Sequence, residues 1–388
     1  MLQPEGLDSK FIALRNGFGG PSLREVPLVE LHRKYGGSLG EFGGWLTSFD
    51  FGNPVDEHLA VRNAVAFFDV SHMGRFVVRG RRALDFLQRV FAKDLSKVKE
   101  GFMSGPALLL NEDAGMIDDV MLYRVREDLW YAVVNAPRIA RDFEWLNSWR
   151  SRLGFSDVEI EDVTASTTLI AIQGPKALEV IENLGVKEAS SLRILQFVEN
   201  VEVLGGRATL VSRSGWTGEE VRSHGFEIWA PVELGWRVFE KLVELGVRPA
   251  GLIARDTLRL EAGYLLSGVD FDERTNPVEA RYWMAFDLDK RDYVGYERLE
   301  ERYREGIDRI RVGLRFKKGA RVVPRHGDPV LIGGREVGYV TSGTYSAYLE
   351  RAIAMGYVSS RYAYIGGTAY VSCRGKLYEA KIVEPPFI

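Results

Sequence analysis

Apolar positions recur at helical spacing over residues 56–67, through Leu59, Val61, Ala64 and Phe67, and again over 82–91, through Leu84, Phe86, Leu87 and Phe91. Both stretches predict helices. Short runs rich in β-branched and aromatic residues at 75–79, 107–110, 116–125 and 129–134 predict strands. The alternation continues with helices over 141–152, 176–184 and 234–245 and strands over 169–173, 208–212 and 226–230. After Tyr293 the texture changes. A charged connector leads into a helix-poor segment in which strands alternate with glycine turns, two of them hairpin signals: Leu331-Ile-Gly-Gly-Arg335 and Cys373-Arg-Gly-Lys376. The pattern therefore predicts an α+β chain in four parts. Residues 1–25, rich in Gly, Pro and Ser, form an extended arm; 26–293 form a mixed domain of two interleaved lobes; 294–308 are the connector; 309–388 form a small antiparallel barrel.

Composition narrows the function classes. A chain of 388 residues, 46% hydrophobic, buries a large core without staples. Its single cysteine, Cys373, excludes an internal disulfide framework and a cysteine-rich metal site. A net charge of −3, with both signs interspersed, offers no global field for nucleic acid or an anionic membrane. The N-terminus has no basic region followed by an apolar run, and no stretch reaches the ~18 apolar residues of a membrane span. These features predict a soluble cytoplasmic protein. Five histidines, at 32, 58, 72, 224 and 326, lack ligand spacing, so no metal is expected.

Three segments can carry chemistry. In Leu110-Asn-Glu-Asp-Ala-Gly-Met-Ile-Asp-Asp-Val120, two adjacent carboxylates lie inside an apolar strand. Alternation puts Asp119 with Ile117, Met121 and Tyr123, and Asp118 with Met116, Val120 and Leu122. Burial there raises a carboxyl pKa, which makes either a candidate acid, base or cation partner; the structural alternative is an Asp bonded to backbone amides or an Arg. Ser212-Arg-Ser-Gly-Trp-Thr-Gly-Glu-Glu220 is a Gly-rich turn before a strand carrying Glu227 among aromatic residues. A carboxylate so placed suits a planar heterocycle with two parallel N–H donors, such as a pterin. In Gly251-Leu-Ile-Ala-Arg-Asp-Thr-Leu-Arg-Leu-Glu-Ala-Gly263, apolar and charged residues interleave as in an amphipathic helix, with Arg-Asp and Arg-Glu pairs at its surface.

Taken in order, Glu57-His-Leu-Ala-Val-Arg62, Phe68-Asp-Val-Ser-His-Met-Gly74, Leu110-Asn with Ile117-Asp-Asp119, Val133-Val-Asn-Ala136, Ile172-Gln-Gly-Pro175, Gly215-Trp-Thr-Gly-Glu219, Ala254-Arg-Asp-Thr-Leu-Arg-Leu-Glu-Ala-Gly263 and Asn276-Pro-Val-Glu279 resemble the folate-binding T-protein family of the glycine cleavage system, the aminomethyltransferases. The resemblance runs from about residue 26 to the end. It implies a multi-lobed fold, a ring of three lobes around a folate channel with a C-terminal antiparallel β-barrel. It also implies transfer of a one-carbon unit from the aminomethyl-dihydrolipoyl arm of H-protein to tetrahydrofolate, releasing ammonia and 5,10-methylenetetrahydrofolate. The P-protein and L-protein would be indirect partners. By position, Asp119 becomes the key carboxylate beside the reacting nitrogens, with Tyr123, Asn135 and Met73 along the pocket. Glu227 would hold the amino edge of the pterin with Arg255 nearby, and Trp216, Tyr264 and Trp283 would wall the ring.

Departures from the family pattern fall elsewhere. Glu220-Val-Arg-Ser-His224 is inserted and is expected to reshape the channel mouth; Trp216 stands for the usual Tyr; the regions of Ser48 and Arg281 differ and are expected on the wall opposite Asp119; and the chain ends at Pro386-Phe-Ile388, short of an extension that reaches the folate in some relatives. The rival readings are a folate-dependent demethylase or methyltransferase on another amine or sulfonium donor, and a non-catalytic folate-binding protein of iron-sulfur maintenance. The latter carries a Lys-Gly-Cys-Tyr type of motif that this chain lacks.

Overall fold

The computed structural model describes residues 23–388. Most of the expected arm, 1–22, lies outside the described residues. Its last residues form a short strand, Arg24–Glu25, paired in parallel with Trp45 and Leu46.

Two large sheets organise the first three quarters of the chain. The six-stranded sheet runs Phe197–Val203, Gly206–Ser212, Gly225–Pro231, Thr167–Gln173, Ala66–Asp69, Arg248–Pro249, antiparallel except at the last pair. The five-stranded sheet runs Phe102–Leu110, Met116–Arg126, Leu129–Val134, Gly74–Arg79, Glu159–Asp162 and is antiparallel throughout. Their facing sides share one core, in which Met121, Tyr123 and Val133 of one sheet meet Leu169, Ala171, Leu210 and Trp229 of the other. Helices cover the outer faces, as a sheet with two apolar sides requires. The tail closes into a six-stranded barrel, and both expected hairpins are its turns: Ile332 pairs with Arg335 across Gly333 and Gly334, and Cys373 with Lys376 across Arg374 and Gly375, all four turn residues at positive φ.

Two sequence expectations are corrected, for the first helix and for the Leu252–Glu261 helix. The helix predicted over 56–67 is Pro54–Asn63, capped by Asn53, and Phe67 belongs to the buried strand Ala66–Asp69 instead. The demand of the sheet for a central strand overrides local periodicity there. The charged connector forms a helix, Tyr296–Glu305, with Leu299 buried. The Leu252–Glu261 helix, expected to carry surface ion pairs, buries every residue except Ile253 and Arg255, because it is enclosed by the Trp45–Asp50 strand, the Pro54–Asn63 helix and the barrel strands Arg335–Ser346 and Arg351–Ser359. Its charges are therefore paired internally. Arg259 binds Asp256 at 2.7 Å, Asp270 at 2.6 Å and Ser342 of the barrel at 2.8 Å. Glu261 takes Arg62 at 2.8 Å and His58 at 2.8 Å, and Ser346 closes the set.

Candidate active site

A narrow cavity opens beside the core between the two sheets. Its walls are Phe42, Met73, Pro137, Trp216, Leu252, Leu265 and Leu266, and its polar groups are Asp119, Asn135, Arg255, Asp256, Arg259 and Ser267. Apolar walls with few converging polar groups are the usual make-up of a small-molecule site.

Asp119 is set into it by the second strand of a hairpin. Asn111 locks that hairpin by accepting from the amides of Asp113 and Gly115, while Gly115 packs so close to Glu273 that an added Cβ would lie 1.8 Å from its carbonyl oxygen. A register shift next to Leu110 leaves Ile117 without a partner and turns it into the core of Val120 and Leu122, not onto the side of Asp119 as alternation predicts. Asp118 and Asp119 are 0% and 4% exposed. Oδ1 of Asp119 accepts from Asn135 Nδ2 at 2.8 Å and Oδ2 from the Tyr282 hydroxyl at 2.5 Å. Burial, then the Asp118 charge, pushes the Asp119 pKa up to about 8, against the opposing hydrogen bonds of Tyr282 and Asn135.

Met73 reaches the cavity from a turn that buried charge holds in place. Asp69 accepts from the Ser71 amide at 2.9 Å and pairs with His32 at 2.9 Å. Arg75, wholly buried, donates to the carbonyls of Ser71, Met73, Thr164 and Thr167. In the same turn, burial and the neighbouring Arg255 lower the His72 pKa to about 3, so its neutral ring accepts from Arg255 Nη1 at 3.4 Å.

Trp216 is presented by the Gly-rich turn. Gln173 donates to the Ser214 carbonyl at 3.0 Å and accepts from the Thr217 hydroxyl at 2.8 Å, and Gly215 lies where any Cβ would strike the Gln173 amide. Of the residues expected to reshape the channel mouth, 220–222 belong to a short helix, Glu219–Arg222, and Ser223 and His224 lead out of it. Glu219 binds Arg62 at 2.8 Å, and Glu220 accepts from the Tyr264 hydroxyl at 2.5 Å. Tyr264 in turn stands edge-on to Trp216, ring centroids 5.3 Å apart.

The structure thus brings Met73, Asp119, Asn135, Trp216 and Arg255 together on the cavity surface. Tyr123, Glu227 and Tyr264 are not among its lining residues. Glu227 accepts from Ser214 at 2.7 Å; burial raises its carboxyl pKa, opposed by Ser214 and by the nearby Arg255 charge. Burial raises the Tyr123 pKa, with the Glu227 charge adding to it. Trp283 is placed elsewhere. It is 50% exposed and packs on Phe286, because Arg281 adopts φ 51° and the turn aims Tyr282, not its neighbour, at Asp119. Nor do Ser48 and Arg281 face Asp119. Ser48 lines a separate small crevice that shares Leu252 and Arg255 with the main cavity, and Arg281 approaches Glu384 at 3.9 Å. Sequence reasoning missed Tyr282 although it sits inside the Arg281-Tyr-Trp283 departure. It also missed Asp142, whose place in an amphipathic helix gave no signal.

Residues 28–290 match the GCVT N-terminal domain family and residues 309–388 the glycine cleavage T-protein C-terminal barrel domain family. The chain is 44% identical over 374 residues to a probable aminomethyltransferase of Aeropyrum pernix, covering 94% of this chain and 98% of that protein. It is 38% identical over 370 residues to an aminomethyltransferase of Thermoanaerobacter sp. strain X514, with 94% and 98% covered. Among solved structures, the glycine cleavage system aminomethyltransferase T of Bartonella henselae superposes with a TM-score of 0.85 at 33% identity, over 95% of this chain and 98% of that one.

Proposed function

The chain belongs to the glycine cleavage T-protein family and is an aminomethyltransferase of that system, and from that premise we propose that the Asp119 cavity is where its one-carbon transfer takes place. The family uses tetrahydrofolate as co-substrate and works with H-protein. The residues present fit the pterin of that co-substrate. Trp216, Phe42 and Met73 offer flat apolar walls, and Asp119 and Arg255 offer an acceptor and a donor at the cavity surface. Glu227, with one oxygen held by Ser214, would reach the amino edge from behind Arg255. When bound, tetrahydrofolate supplies the nitrogen nucleophiles that accept the one-carbon unit from the aminomethyl-dihydrolipoyl arm, with ammonia and 5,10-methylenetetrahydrofolate as products.

The chain supplies position and charge. Tyr282 and Asn135 hold the two Asp119 oxygens in place, so the carboxyl needs little reorganisation to meet positive charge at the cavity surface. With its pKa near neutrality, Asp119 is largely protonated in the free protein and can give up that proton as cationic character develops beside it. It is therefore able both to supply a proton towards departing ammonia and to stabilise the charge left behind. Arg255, which among the described residues meets neutral His72 and the more distant Glu227, is available to an anionic or carbonyl group of the ligand.

The observation that carries this reading is a buried carboxyl, fixed through both oxygens, on the surface of an aromatic-walled cavity. Its test is ammonia release from an aminomethylated lipoyl H-protein with and without tetrahydrofolate. Folate-dependent release that collapses in Asp119→Asn is expected. No release from protein that still binds tetrahydrofolate would refute it and favour a methylated amine or sulfonium donor.

A further inference from the structure

Behind Asp119 lies a third buried carboxyl that the reading above leaves unused. Asp142, in the first turn of the Ile139–Arg152 helix, is 0% exposed, and no donor among the described residues reaches either of its oxygens. A bare carboxylate in that position would be very costly. The group it contacts is Asp118, another carboxyl, and two such groups form a hydrogen bond only when one carries a proton.

Which of the two holds the proton follows from their other partners. Asp118 already accepts from the Asn135 amide at 3.0 Å and from Asn135 Nδ2 at 2.9 Å. These donors, with Ser267 beside them, favour its charged form. Asp142 has none. The cations nearest Asp142 are committed elsewhere: Arg141 binds Glu273 at 3.0 Å, and Arg138 donates to Ser267 at 3.3 Å and faces Glu273 at 3.9 Å. Burial and the Asp118 charge agree with this, raising the Asp142 pKa well above the ordinary range.

Besides the chain itself and the Asp118 charge, one side chain links the pair to the reaction site. Asn135 Nδ2 donates to Asp118 at 2.9 Å and to Asp119 Oδ1 at 2.8 Å, with a longer contact to the Asp119 carbonyl at 3.3 Å. We propose that Asp142 is a positioning residue for the aminomethyl transfer: as a carboxylic acid it donates to Asp118, Asp118 fixes the Asn135 amide, and Asn135 sets the Asp119 carboxyl at the cavity surface. The proton stays on Asp142 throughout, and the pair carries one negative charge. This inference rests on the assignment of the cavity given above.

Two variants and two readouts test it. Asp142→Asn keeps a donor in the same place and keeps the single negative charge; Asp142→Ala removes the donor. In the folate-dependent assay, Asp142→Ala is expected to lower kcat by about tenfold to a hundredfold, the scale of a lost bond to a charged group, with the tetrahydrofolate KM within about twofold. Asp142→Asn is expected to recover kcat to within about threefold and to leave the pH-rate profile in place. Asp142→Asn as slow as Asp142→Ala, or with its pH limb shifted to lower pH, would show that Asp142 works as an anion and would overturn the proposal. So would folded Asp142→Ala with wild-type kcat. If Asp142→Ala does not fold, infrared spectroscopy of unliganded protein decides. A protonated-carboxyl carbonyl band that persists at pH 9, above the Asp119 range, and vanishes in Asp142→Asn is expected; its absence from the wild type would refute the protonated pair. The infrared result stands whatever the reaction is, and failure of wild-type ammonia release would instead count against the cavity assignment.

Discussion

Replacing Asp119 by Asn should inactivate the enzyme and stabilise it, by an amount that depends on pH. An aspartate carboxyl ordinarily titrates near 3.8, and burial beside Asp118 moves that of Asp119 up to about 8. Between those values the folded protein keeps a proton that the unfolded chain has released. The contribution of Asp119 to stability is therefore whole below pH 3.8 and is lost as pH rises through 8. Asn cannot ionise and escapes that loss, and its amide can still satisfy Tyr282 and Asn135. Full transmission of the shift would be worth at most ~6 kcal/mol; relaxation and water entry around the charge reduce this to ~2 kcal/mol at pH 8.5 and ~0.5 kcal/mol at pH 5. At ~2.1 cal/mol/K per residue, a chain of 388 residues converts these to Tm gains of about 2.5 °C and below about 1 °C. Differential scanning calorimetry of both proteins at the two pH values measures this. A gain equal at both, or a loss at pH 8.5, would refute the argument that burial disfavours the ionised form of Asp119.

Two other substitutions probe the same cavity. Tyr282→Phe removes the hydroxyl that favours ionised Asp119, a bond of the ~1.5–3 kcal/mol class, so the limb of the kcat/KM profile set by Asp119 should move about 1 unit or more to higher pH; an unmoved limb would detach Tyr282 from Asp119. Trp216→Ala should weaken tetrahydrofolate binding by about tenfold in calorimetric titration, whereas half-exposed Trp283→Ala should leave it within about twofold; the reverse order would place the pterin elsewhere.

Much of this was legible in the residues, and the exceptions share a cause. Two carboxylates in an apolar strand announce burial because the conflict is local, and the Gly333-Gly334 and Arg374-Gly375 turns announce hairpins because φ is a property of single residues. Tyr282 and Trp283 could not be told apart by pattern. Which of two adjacent aromatics faces inward depends on the positive φ of Arg281, in a turn that Asn276 starts by accepting from the amides of Val278 and Glu279. The Leu252–Glu261 helix looked amphipathic because spacing cannot distinguish a charge in water from one buried against a distant partner. Arg259 keeps Asp256 within the helix, but Asp270, Ser342, His58, Arg62 and Ser346, which complete the satisfaction of Arg259 and Glu261, all lie outside it. Asp142 was silent for the same reason, since Asp118, the group that matters to it, lies on another element.

That helix also changes what the barrel is for. The barrel supplies Ser342, Thr344 and Ser346 to its charged and polar face, and the Phe387 amide bonds the carbonyl of Glu261 at its end. The same ten residues carry Arg255 and Leu252 into the cavity. A chain cut before residue 309 would expose Asp256, Arg259 and Glu261 with their networks broken, so the helix that shapes the ligand site could not stay seated. The barrel is thus a clamp rather than an appendage: opening it and emptying the site of its shape are one cooperative event, and a ligand held at Arg255 resists both.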